Sequence, residues 1–99
     1  MLQKIFNTNI KHAYDACKSA LRDYKCEEVY CDFKSGIIQA FKRSNFHNEE
    51  KILIHMNNKA GVVISISVNG QHENTNVWNL ELNELQEAVV LELISVKLT

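Results

Sequence analysis

Residues 51–68, KILIHMNNKAGVVISISV, decide the fold. Ile52, Ile54 and Met56 alternate with Leu53 and His55. Val62, Ile64, Ile66 and Val68 alternate with Val63, Ser65 and Ser67. Period two is the spacing of a strand with one buried face. The connecting Asn57-Asn58-Lys59-Ala60-Gly61 holds residues that tolerate left-handed turn geometry. The stretch therefore predicts two antiparallel strands, 51–56 and 62–68, with Leu53, His55 and Val63 on the outer face.

Upstream, residues 27–34 alternate as well. This reading puts Val29, Cys31 and Phe33 inside, and Glu28, Tyr30 and Asp32 outside. Ser35-Gly36 ends the strand, since glycine supplies the positive φ of a hairpin. The return strand runs from Ile37 to about Arg43. A two-residue loop pairs Phe33 with Ile38 and Cys31 with Ala40, leaving Tyr30, Ile37 and Phe41 outside. A three-residue loop pairs Phe33 with Ile37, Val29 with Phe41, and buries Gln39. One residue of slip inverts the strand, and the first register is the one adopted here.

Helical periodicity flanks the strands. Ile10, Ala13, Tyr14, Cys17, Ala20, Leu21 and Tyr24 share one face, and Asn7, Thr8 and Asn9 are N-cap candidates. Residues 1–6 read as a lead-in or strand fragment. Residues 69–76 form the most polar stretch and read as a loop. Trp78, Leu80 and Leu82 alternate, so either a short fifth strand lies there or the last helix begins near Asn76. In the first case Asn83 caps the helix, with Gln86 three residues on. The last helix is apolar almost all round, through Leu85, Ala88, Val89, Val90, Leu91, Leu93, Ile94, Val96 and Leu98, which implies deep burial or a shared surface. The expected fold is a single α+β domain over 1–99: an N-terminal helix, a four-stranded (or five-stranded) antiparallel meander, and a C-terminal helix packed on one sheet face.

Ninety-nine residues with 45% hydrophobic and 23% charged side chains suit one ordinary core. The net charge of −1 gives no global pull toward nucleic acid or an anionic membrane. Residues 1–60 carry ten Lys/Arg against seven Asp/Glu, whereas 61–99 carry one Lys against five Glu. No signal peptide or membrane-length apolar run is visible, so a soluble cytoplasmic protein is expected. Cys17, Cys26 and Cys31 are an odd number without metal or redox spacing and read as reduced thiols.

Chemistry finds little to stand on. Cys26 and Cys31 are five apart, and strand parity sends them to opposite faces. His47 and His55 are eight apart, and His12 and His72 are isolated, so no metal site is expected. Cys31 and His55 fall about 10 Å apart on strands with one between them, too far for a nucleophile and its base. Glu27-Glu28 and Glu49-Glu50 are split by parity. Three glycines leave no phosphate-cradling loop. No catalytic activity and no cofactor are expected.

The order of helix and meander, with Ser35-Gly36-Ile37-Ile38-Gln39-Ala40 in its first hairpin, resembles the small helix-plus-meander domains of bacterial lipoproteins. The resemblance spans residues 8–68 and rests on a short G-x-I-x-A pattern. The lipoprotein signal and its cysteine are not in this sequence, and no family is assigned from the pattern.

Two function classes remain. A protein-interaction module, expected as a homodimer or bound to another protein, would use Tyr30, Phe41, Leu53, His55 and Val63 on the sheet, and Val90 and Ile94 on the last helix. A weak single-stranded nucleic-acid binder would stack bases on Tyr30 and Phe41 beside Lys34 and Arg43.

Overall fold

The computed structural model describes residues 1–43, 49–71 and 78–98. They form β1 (Leu2–Phe6), α1 (Ile10–Asp23), β2 (Glu27–Asp32), β3 (Ile37–Arg43), β4 (Glu49–Lys59), β5 (Gly61–Gln71) and α2 (Trp78–Leu98). The sheet is antiparallel, in the order β1-β5-β4-β3-β2. His47, His72 and the polar stretch beyond Gln71 lie outside the described residues.

The α+β class holds, but the chain begins with a strand rather than a helix. The fifth strand is β1, not residues 78–82. β1 pairs along β5 from Leu2↔Ile66 to Phe6↔Val62 and so covers what would be an open edge. With β1 and β4 on its two sides, β5 has no edge left for residues 78–82. Those residues join α2, which is rich in Leu and Glu, both good helix formers. Asn83 is therefore helix interior, not a cap.

α1 forms as the spacing predicts. The Asn9 side chain accepts the His12 N–H at 2.7 Å and caps the first turn. The helix ends in a Schellman pattern: Cys26 N–H donates to Leu21 O and Lys25 N–H to Arg22 O, both at 2.9 Å. Lys25 takes the left-handed position at φ 63°, a place usually given to glycine.

One core lies between the sheet and the two helices. Ile38, Ala40, Ile52, Ile54, Met56, Val62, Ile64, Ile66 and Val68 point inward from β3, β4 and β5. α1 contributes Ala13, Cys17, Ala20 and Leu21, and α2 contributes Val90 and Ile94. The helices also pack on each other. Three alanines among the buried residues of α1 let its backbone approach closely.

The β2–β3 hairpin follows neither expected register. Asp32 pairs with Ile37, Cys31 with Ile38 and Tyr30 with Gln39, so four residues, 33–36, make the turn. The register differs by two residues from the adopted one, so parity survives and Ile37, Gln39 and Phe41 still face outward. Gly36 turns at φ +68° and lies against β4, where its carbonyl accepts the Met56 N–H at 2.8 Å. A bulge between Glu28 and Tyr30 leaves Val29 unpaired. Below the bulge parity inverts: Glu28 turns inward beside Cys31, and Val29 is 68% exposed. Phe33, expected in the core, sits in the turn at 46% exposure, in a T-shaped pair with Tyr14 whose ring centroids are 5.2 Å apart.

Candidate interaction surface

Both helices cover the same side of the sheet, which leaves the opposite side open. Its side chains form rows across the strands. One row runs Glu27, Phe41, Lys51, Asn69, and the next runs Tyr30, Gln39, Leu53, Ser67. A third runs Asp32, Ile37, His55, Ser65, Gln3. Val63 lies further along, paired with Ile5 and Asn57. Tyr30, Phe41, Leu53, His55 and Val63, scattered over 34 residues of sequence, thus share one face because each has the same strand parity.

Tyr30 is 50% exposed and Leu53 42%; Phe41, His55 and Val63 are half-buried. Between them runs a shallow groove of about 550 Å³ with Val29, Phe41 and Leu53 as its apolar part and Gln39, Lys51 and Ser67 as its polar part. Val29, Gln39, Lys51 and Ser67 were missed at sequence level. The bulge that turns Val29 outward has no local signal, since an uninterrupted alternation reads the same with or without it.

Two of the α2 positions are corrected. Val90 and Ile94 are both 0% exposed and belong to the core, so neither offers a surface. Leu85, Val89 and Val96 are the exposed large apolar residues of that helix, at 60%, 46% and 63%. An all-round apolar helix gives no phase from which to tell its inner from its outer side.

Of the nucleic-acid residues, Tyr30 and Phe41 share the open face. Lys34 lies in the turn, where its backbone N–H donates to Asp32 Oδ1 at 3.1 Å. The Ser35 hydroxyl donates to Asp32 Oδ2 at 2.8 Å and, with the turn N–H groups, holds the Asp32 carboxyl below its ordinary range. Arg43 ends β3, and its side chain lies outside the described residues.

The inner side of β2 holds the remaining chemistry. The Cys31 Sγ lies 3.7 Å from Glu28 Oε2, which also pairs with Lys18 Nζ at 3.7 Å. Partial burial, then the Glu28 charge, push the Cys31 thiol up, so it stays protonated at neutral pH. Cys31 faces inward and His55 outward, with β3 between them. The bulge overturns the parity argument for Cys26 and Cys31: both pack against the core from the helix side. Tyr24 donates its hydroxyl to the buried Glu50 carboxylate at 3.3 and 3.4 Å, with Lys42 Nζ over its ring at 3.7 Å. Burial first, and the Glu50 charge second, push the Tyr24 phenol up. The buried Glu87 Oε1 stands 2.9 Å from the Met1 ammonium, an ion pair by distance that makes no hydrogen bond. Among the described residues, no group of three or more His, Cys, Asp or Glu could hold a metal ion, and no helix is long and apolar enough to cross a membrane.

No protein-family model matches this chain, and comparison with the curated proteins finds no match. The arrangement of the open sheet face therefore carries the functional reading by itself.

Proposed function

We propose that this protein is a non-catalytic interaction module that binds a second copy of itself through the open face of its sheet. The observation that carries the reading is one-sided coverage. Both helices pack on one side, while the other leaves Tyr30, Phe41, Leu53 and Val29 at the surface of a five-stranded sheet. Strands at ~4.8 Å spacing and ~3.3 Å rise give that face a flat area of roughly 600 Å². Side-chain relief raises this toward the ~800 Å² that each partner of a standard interface buries.

Light scattering on a size-exclusion column, across a dilution series, tests the reading. The expected result is twice the mass of one chain, falling to one chain on Leu53→Glu. Leu53 is 42% exposed, so the substitution leaves the fold intact. A Leu53→Glu protein that stays dimeric overturns the reading, as does a wild-type monomer throughout.

Single-stranded nucleic acid is the second reading, favoured by Tyr30 and Phe41 on the same face. Against it, the carboxylates Glu27, Asp32 and Glu49 share that face with Lys51. An oligonucleotide titration in ~20 mM salt decides it: binding that falls steeply with salt supports it, and no binding removes it.

A further inference from the structure

We infer that Lys4 closes the outer edge of β1 against antiparallel pairing with a second copy of this chain. β1 and β2 are the outermost strands of the sheet. A bulge breaks the β2 ladder between Glu28 and Tyr30, and a bulged edge is a poor template for a further strand. β1 pairs regularly over all five of its residues. Among the described residues, no backbone group bonds to its outer side. It is therefore the edge on which another strand would add.

Lys4 is out of keeping with its place in that strand. Opposite residues in an antiparallel ladder share a face. Leu2, Lys4 and Phe6 pair with Ile66, Ile64 and Val62, so they stand on the helix side. All three partners are 0% exposed. Leu2 and Phe6 are half-buried there, while Lys4 is exposed. Its ammonium lies 5.2 Å over the Phe6 ring and makes no ion pair among the described residues. The buried Glu87 of α2 already faces the Met1 ammonium. A charge fits this core-facing position because the strand is an edge, and the side chain reaches water through the open side.

A second copy removes that exit. Antiparallel pairing of β1 with β1 engages all five residues in one register, Leu2 on Phe6 and Lys4 on Lys4, about a two-fold axis normal to the sheet. That axis keeps both helix layers on the same side, and α2 packs on β1 as well as on β5. Each Lys4 is then enclosed beside the other, with an α2 helix on either side. Sliding by two residues shortens the pairing and sets Lys4 on Leu2 or on Phe6. In each of these registers two ammonium groups enter an apolar layer without a counter-ion, a cost that outweighs the few backbone bonds gained.

The test reads this edge alone, on the intact chain carrying Leu53→Glu on its sheet face. Sedimentation equilibrium across a dilution series compares that parent with the same chain carrying Lys4→Val or Lys4→Arg, each shown to be folded by circular dichroism. Valine completes the apolar row from Leu2 to Phe6 and favours a strand, whereas arginine keeps the charge. The parent and Lys4→Arg remain single chains. Lys4→Val dimerises and stops at two chains, because each copy holds one such edge. Its dissociation constant falls at least about a hundredfold below the lower limit for Lys4→Arg. Hydrogen exchange at residues 2–6 slows as the dimer forms.

A Lys4→Val protein that stays a single chain overturns the inference. So does a Lys4→Arg protein that dimerises, or a Lys4→Val dimer whose residues 2–6 exchange as fast as in the parent. A parent that is itself dimeric, with slow exchange at residues 2–6, overturns it too. The sheet-face reading is separate: it stands or falls with Leu53→Glu in the chain that keeps Lys4.

Discussion

Val89 and Val90 are chemically identical neighbours whose consequences differ. Val90 is 0% exposed, packed between α2 and the sheet, while Val89 is 46% exposed. A carboxylate at 90 has no partner in the core, and burying it costs more than about 3 kcal/mol. At 89 it stays in water, within about ±0.5 kcal/mol of wild type. Urea unfolding followed at 222 nm should show Val90→Glu with a much lower midpoint, or unfolded, and Val89→Glu unchanged. Equal losses would show that the phase of α2 is misassigned. Composition made the helix apolar; packing alone chose which of its valines are core.

At the level of elements, the turn at 33–36 sets the register of the sheet's outer half. Gly36 is held at φ +68°, and a Cβ there would collide with the Met56 carbonyl oxygen on β4. The left-handed backbone alone costs a non-glycine residue about 1–2 kcal/mol. Gly36→Ala should therefore lose about 2 kcal/mol or more, because the turn must also lift away from β4. Chemical denaturation measures the loss, and hydrogen exchange should show it concentrated in the β2–β3 hairpin rather than in β1 and β5. A loss below about 0.5 kcal/mol would mean that the turn does not dock on β4. The same hairpin shows the limit of pattern reading. Glycine marked where the chain reverses, but the loop length came from the docking of that turn on β4, two strands away from β2.

For the molecule as a whole, alkaline pH is the informative axis. Burial pushes the Cys17 thiol from 9.0 up to about 12. Burial, partly offset by the Lys42 charge, pushes Cys26 up to about 11. Tyr24 moves the same way. Each folded-state value is raised, so the folded protein keeps protons that the unfolded chain gives up. This stability is fully present below about pH 9 and is lost as pH rises from 9 toward 12. Each such proton contributes a slope of at most about 1.4 kcal/mol per pH unit. Urea midpoints at constant ionic strength should fall from pH 9 to 11, more shallowly in Cys17→Ala. A flat profile would contradict the burial of these groups.

The sequence by itself determined the class of this protein, the α1 face from Ala13 to Leu21, and the inward faces of β4 and β5. These rest on local periodicity, and a run of alternating or helically spaced side chains has one low-energy way to bury itself. Tertiary structure decided the rest. Residues 2–6 are a strand because β5 offers them an edge. Residues 78–82 are helix because that edge is then filled. Val29 faces outward because a bulge shifts the ladder by one residue. The open face gathers Tyr30, Phe41, Leu53, His55 and Val63 through pairing across four strands. Which side of a sheet stays bare is a property of where two helices pack, and no residue carries that locally.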